Sequence, residues 1–237
     1  MKVLVSLASS LLLICCVAVG AQTEGAPDGI FQGNWPYVLD GHHLNSFSEN
    51  GLETNLGLVF QPLVELTPAF YLWAEDRYEG LLAESWGFVD DNTYELTLKP
   101  DALWSNGTPI TSADVITTYA IQRILNNPQF EFIDTVTAVD EHTIRFELSA
   151  PSLLIERQIL KNYIRSSETY GELAEQAADL YASGATAEDD TWQALAAEIR
   201  AFRPTELIAS GPYTYNLNED VNEAYLSLNW QPNSLYS

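Results

Sequence analysis

The sequence is poor in positive charge. Ten Lys and Arg residues stand against 33 Asp and Glu residues, so the formal net charge of the 237-residue chain is −23. Such a chain lacks the cationic surface that displaces counterions from nucleic acid or attaches a protein to an anionic membrane. The composition therefore argues against both partners. It is typical of a solvated surface that keeps an exported protein in solution.

Cysteine is almost absent, and both cysteines lie in the apolar segment that begins the chain. Lys2 precedes this segment and small residues close it, so residues 1–21 are predicted to be a signal peptide. Cleavage would leave Gln22 as the mature N-terminus, with no disulfide and no thiol chemistry. A lipid anchor on Cys15 or Cys16 is the alternative. Either way, the predicted location is outside the cytoplasm, in the periplasm or on the outer face of the membrane.

Motifs for catalysis and for metal binding are also missing. The sequence contains no G-x-S-x-G elbow, no H-E-x-x-H helix and no phosphate-binding glycine loop. The acids lack the spacing of a calcium loop, and the neighbours His42 and His43 are poorly placed to chelate one ion. We therefore predict no enzyme, no metal and no cofactor. A secreted glycoside hydrolase stays open as a lesser alternative, because 33 acids supply carboxylate pairs at almost any spacing.

The middle of the chain carries the clearest structural pattern. Residues 93–98 alternate between apolar and polar side chains, which predicts a strand paired with residues 86–89 across an Asp-Asp-Asn turn. Asn106-Gly107 is typical of a tight reversal that needs positive φ. Thr111 with Asp114 three residues later predicts a capping box at the start of a helix.

Weaker patterns extend on both sides of this unit. Residues 54–66 predict a helix that Pro62 would kink, and residues 70–73 form an aromatic run. That run fits a buried or edge strand, or alternatively a wall on which a ligand stacks. The remaining expectations are a hairpin within 130–148, a helix from about residue 153, two helices within 168–202, and strands at 213–217 and 224–230.

Four segments together resemble one protein family. They are LAESW at residues 82–86, WSNGTP at 104–109, TSADV at 111–115 and SGPY at 210–213. Their types and order resemble the extracytoplasmic solute-binding proteins of ABC importers, in the class that captures peptides, nickel chelates and some oligosaccharides. The resemblance implies a mixed α/β (α+β) fold, a type II periplasmic-binding-protein lobe with a small inserted lobe.

The resemblance also implies a division of the chain. Residues 22–66 and 165–237 would form the first large lobe, and residues 67–164 the small inserted lobe. Full-length members are much longer, so we expect this sequence to be an N-terminal fragment without the second large lobe. Binding by the chain alone should then be far weaker than binding by an intact protein.

The resemblance places the ligand site at an early loop, residues 41–47, and at the SGPY segment, residues 210–213, where the chain returns to the larger lobe. Trp35, His43, Asn45 and Phe47 are predicted to line one side of a cleft, with Tyr213 near the hinge. Some members carry G-H-x-N-[ST]-F here, whereas this chain has one additional histidine in the motif. Trp86 and Trp104 are interpreted as core residues.

The implied partners are a peptide or oligosaccharide ligand and the membrane-embedded ABC permease, with the protein acting as a monomer. Six Trp and 12 Tyr residues suit peptide or sugar equally, so composition does not choose between these ligands. The alternative from a different class is an acidic cell-surface interaction module that transports nothing.

Overall fold

The computed structural model describes residues 41–49, 51, 60–152, 154–221 and 226–236. The predicted signal peptide at 1–21, its cleavage before Gln22, and Trp35 lie outside the described residues. So does the first part of the predicted helix at 54–66; residues 60–66 are described, and residues 60–64 are helical through Pro62.

The centre of the fold is a four-stranded antiparallel sheet with the order β3-β4-β6-β5. A separate hairpin, β1-β2, precedes it, and a short pair, β7-β8, follows it. The strands are β1 (Ala69–Leu72), β2 (Arg77–Gly80), β3 (Ala83–Asp90), β4 (Thr93–Leu98), β5 (Ile133–Ala138), β6 (Thr143–Leu148), β7 (Tyr213–Thr214) and β8 (Asn229–Trp230).

The alternation predicted for residues 93–98 is confirmed by burial. Tyr94, Leu96 and Leu98 are at most 1% exposed. Tyr94 pairs with Phe146 of β6, which meets Tyr119 edge-to-face at 5.1 Å between ring centroids. One face of the sheet therefore packs against the helix that carries Tyr119.

That helix is α1 (Ser112–Ile124), and it lies between the sheet and a helical hairpin. The other helices are α2 (Leu154–Leu160), α3 (Ser167–Ala182) and α4 (Asp190–Ala201). Val115 and Tyr119 belong to the sheet core, whereas Ile121 and Ile124 belong to the core formed with α3 and α4. Both cores share α1, so packing is continuous across the boundary predicted between residues 164 and 165. The predicted division of the chain into lobes stays a prediction.

Residues 70–72 of the aromatic run lie in strand β1 of a two-stranded hairpin, so the predicted strand is an edge strand and not a buried one. Phe70 is 55% exposed and Trp73, in the following turn, is 77% exposed. At the other end of the chain, the predicted strands at 213–217 and 224–230 pair over only two residues each. Within the described ranges, every helix is too short or too polar to cross a membrane.

Candidate functional site

Two of the segments that resemble the family, residues 104–109 and 111–115, meet at one buried carboxylate. Asp114 is 2% exposed, and its Oδ2 accepts from the backbone N–H of Thr111 at 2.8 Å and from Trp104 Nε1 at 3.3 Å. Its Oδ1 accepts from the N–H of Ser167, the first residue of α3, at 2.7 Å. The predicted capping box is thus confirmed, and Trp104 is a core residue, 2% exposed, as predicted.

The segment at residues 104–109 is also bonded to Ala209, the residue that precedes the SGPY segment. The N–H of Ser105 donates to the Ala209 carbonyl at 2.8 Å, and Ser105 Oγ accepts from Ala209 N at 3.0 Å. Gly107 adopts φ of +84°, as the predicted reversal requires. Gly211 then crosses the segment before β1, because its N–H donates to the Val64 carbonyl at 2.8 Å.

The loop at residues 41–49, hereafter the early loop, packs against this crossing and against the helical hairpin. Asn45 is fully buried, and its Nδ2 donates to the carbonyls of Ile199 and Phe202 at 2.7 and 3.0 Å. Its Oδ1 accepts from the N–H of Phe47 at 2.8 Å. In the described conformation the Asn45 amide therefore holds the early loop to the end of α4. A direct contact between Asn45 and a ligand stays a prediction.

His43 fixes the same loop from its other side. Its Nδ1 accepts from the N–H of Asn45 at 3.2 Å, and its Nε2 lies 3.0 Å from the Glu49 carbonyl. These partners require the neutral ring with its proton on Nε2. Burial, and secondarily the charge of Arg203, lowers the pKa of His43 from its usual 6.5, against the opposing effect of the bond to the Glu49 carbonyl. A proton on Nδ1 would break the bond to Asn45.

We expect the chain to lose stability as the pH falls below 6.5. The folded-state pKa of His43 is the lower one, so the unfolded chain takes up the proton first. The stabilisation is complete above 6.5 and is lost as the pH falls through the folded-state pKa. Urea titrations across this range should show a smaller pH dependence for His43→Gln than for the wild type. A slope in His43→Gln equal to the wild-type slope would contradict the assignment.

A buried polar cluster lies beneath the early loop. Ser46 Oγ donates to Glu65 Oε1 at 2.9 Å, and Gln61 Nε2 donates to Glu65 Oε2 at 2.8 Å. Arg165 Nε lies 3.5 Å from Glu65 Oε1, and the two side chains are 3% and 6% exposed. Sequence reasoning missed this ion pair. A glutamate inside an apolar helical run, four residues after a glutamine, was the one available sign.

The remaining predicted site residues are more accessible. Phe47 is half-buried and meets Tyr170 of α3 edge-to-face, with ring centroids 5.0 Å apart. Tyr213 is half-buried in β7, opposite Trp230. Two residues later, Tyr215 reaches the early loop, where its hydroxyl lies 2.7 Å from His42 Nε2. The structure thus brings His43, Asn45 and Phe47 together, whereas Tyr213 lies in β7, two residues before the tyrosine that reaches His42.

Two depressions with volumes of about 380 and 420 Å³ lie on the sheet and are lined by other residues. Phe88 and Pro151 line the first, and Glu84 and His142 line the second. In the described part of the chain, His, Cys, Asp and Glu side chains nowhere gather in a group of three that could hold a metal ion.

The residues that meet at Asp114 lie within a region that matches a known protein family. The sequence profile described as "Bacterial extracellular solute-binding proteins, family 5 Middle" matches residues 77–229, which include Trp104, Asp114 and Gly211. The chain belongs to this family. A binding protein of Haemophilus influenzae is 25% identical to it over 38% of this chain and 22% of that protein. The resemblance inferred from the four segments is thereby confirmed.

Solved structures show the same fold. A peptide-binding protein, AppA, from Clostridium difficile aligns with a TM-score of 0.55 at 15% identity, over 87% of this chain and 36% of that one. The oligopeptide-binding protein AppA from Bacillus subtilis, solved with a nonapeptide, aligns with a TM-score of 0.54 at 16% identity, over 73% of this chain and 31% of that one. The predicted mixed α/β fold of the type II class is confirmed. The chain spans about a third of the length of these two proteins.

Proposed function

We propose that this protein is the solute-capturing component of an ABC importer and that its ligand is a peptide. Membership of the solute-binding family supports the capturing role. The fold shared with a Bacillus subtilis protein that holds a nonapeptide supports a peptide as the ligand. In this proposal the protein works outside the cytoplasm and delivers its ligand to a membrane permease.

The early loop is the part of the described chain that we propose meets the ligand. Its backbone is fixed by Asn45 and His43, while Phe47 keeps part of its ring accessible. A fixed backbone lowers the entropy lost on binding, and a partly exposed aromatic ring offers apolar area to a ligand side chain. We propose Phe47 and Tyr213 as contact residues, with Asn45 and His43 supporting the loop.

The affinity of the described surface should be low. Phe47 is half-buried and offers only part of its ring, so a peptide bound there would keep much of its water. We therefore expect a dissociation constant of about 1 mM, equivalent to a binding free energy of about −4 kcal/mol. A weak interaction of this kind calls for a residue-resolved method rather than calorimetry alone.

The test is an NMR titration of the ¹⁵N-labelled chain with a pool of di- to pentapeptides and, separately, with a pool of short oligosaccharides. Peptides should shift the amide signals of residues 43–47 in a saturable way, and oligosaccharides should not. Phe47→Ala should weaken the response several-fold, whereas Phe88→Ala, an exposed aromatic on β3, should not. Shifts with oligosaccharides alone would reject the peptide, and an early loop that responds to neither pool would reject the site.

A further inference from the structure

A buried carboxylate is the anchor of the early loop. Glu65 lies at the end of the helical segment at residues 60–64 and is 4% exposed. A charge so far from water is costly unless other groups compensate it. Here the compensating groups are Ser46, Gln61 and Arg165, and they come from three different segments of the chain. One of them, Ser46, belongs to the early loop itself.

Arg165 also has partners outside the loop. Its backbone N–H donates to Thr118 Oγ1 of α1 at 2.9 Å, and its guanidinium donates to the Tyr163 carbonyl. The guanidinium carbon lies 5.4 Å from the ring centroids of both Phe47 and Tyr163. The backbone of Arg165 is therefore fixed to α1 and its guanidinium to the segment before α3, and the cation presents its charge to Glu65 beside the Phe47 ring.

A second contact fixes the same serine through its backbone. The N–H of Ser46 donates to Tyr170 Oη at 3.0 Å, and the Tyr170 hydroxyl lies 3.4 Å from the Leu44 carbonyl, to which it donates. Burial raises the pKa of Tyr170 to about 12, so the hydroxyl stays protonated and keeps this role at neutral pH. The hydroxyl of Ser46 is thus bonded to Glu65, and its backbone N–H is bonded to α3.

We propose that Glu65 is a positioning residue that sets the conformation of the ligand loop through Ser46, with Arg165 as its counter-charge. Glu65 lies in the segment that crosses Gly211, so its bond to Ser46 joins the early loop to this crossing. The two residues that flank Glu65 form the crossing: Leu66 N donates to Ser210 Oγ at 2.8 Å, and Gly211 N donates to the Val64 carbonyl at 2.8 Å. A shift at the crossing would therefore move Ser46, and with it Phe47. This role rests on the proposed function of the loop in binding a peptide.

The test measures the loop directly and needs no ligand. Amide hydrogen exchange of the full chain is followed by NMR in the wild type, in Glu65→Gln, in Ser46→Ala and in the double variant. Glu65→Gln should accelerate exchange at the amides of Asn45, Ser46 and Phe47 by about tenfold or more and leave β4 and β6 unchanged. Glu95→Gln is the matched control: Glu95 pairs with Arg145 at 2.7 Å on the partly exposed sheet surface, and its loss should not alter loop exchange.

Non-additivity decides whether Glu65 acts through Ser46. In the Ser46→Ala background, Glu65→Gln should add little further acceleration, because the link between them is already gone. Equal acceleration in the loop and in the sheet would show a general loss of stability and overturn the proposal, as would unchanged loop exchange or two additive effects. Ser46→Ala removes only a hydroxyl and keeps the test valid if Glu65→Gln does not fold.

The peptide titration separates this inference from the proposed function. A loop that loosens in Glu65→Gln while the wild-type loop ignores peptides would uphold the positioning role and reject peptide capture. If the wild type responds, Glu65→Gln should weaken the peptide response several-fold, whereas Glu95→Gln should retain it.

Discussion

Replacing Asp114 by alanine is expected to lower the free energy of unfolding by about 3–5 kcal/mol. The carboxylate is 2% exposed and accepts from Thr111 N, Ser167 N and Trp104 Nε1. Alanine would leave these buried donors without an acceptor, and each such donor costs about 1–3 kcal/mol. The loss would act on the start of α1 and the start of α3 together, so both helices should weaken.

Urea denaturation followed by circular dichroism measures this effect. Asp179→Ala, on the exposed face of α3, is the matched control and should change stability by no more than about 0.5 kcal/mol. Thr111→Ala changes only the cap of α1 and should cost about 0.5–2 kcal/mol. If Asp114→Ala cost no more than Thr111→Ala, the bonds to Trp104 and Ser167 would contribute nothing measurable.

The contrast between these two variants shows how far local sequence patterns extend. Thr111 and Asp114 predict a helix start because a capping box needs only a three-residue spacing. The bond from Asp114 to Ser167 follows from no spacing, since it depends on where α3 packs. The strands of the central sheet were likewise predictable from alternation, whereas the strands near residues 213 and 229 proved shorter, because turn residues interrupt their pairing.

The early loop illustrates the same limit at the candidate site. The resemblance predicted that His43, Asn45 and Phe47 line one side of a cleft, and this stays a prediction; in the structure hydrogen bonds link the three residues within one loop. The burial of Asn45 was not predictable, because an asparagine in a loop pattern gives no sign that its amide binds the end of a helix far along the chain. The Glu65–Arg165 pair was missed for the same reason, since each residue alone is typical of a solvated surface.

Gly211→Ala is expected to cost about 3 kcal/mol or more of folding stability. A Cβ atom at this position would lie 2.4 Å from the Leu63 carbonyl oxygen and 2.6 Å from the Leu63 carbonyl carbon. Both are backbone atoms, so no side-chain rotation can relieve the overlap. The two segments would have to separate, which would break the bonds from Ser210 N and Gly211 N to the Val64 carbonyl at 3.1 and 2.8 Å.

The matched control is the same substitution where space is available. Gly171 lies within α3, and a Cβ atom there would meet no neighbouring segment within 4 Å. Gly171→Ala should therefore raise stability by about 0.5–1 kcal/mol through helix propensity. Urea titrations of the two variants should therefore shift the midpoint in opposite directions. Because the crossing also connects to Glu65, Gly211→Ala should accelerate exchange at the Ser46 amide, and Gly171→Ala should not. A Gly211→Ala protein as stable as the wild type would show that the two segments do not cross as closely as the Val64 bonds require.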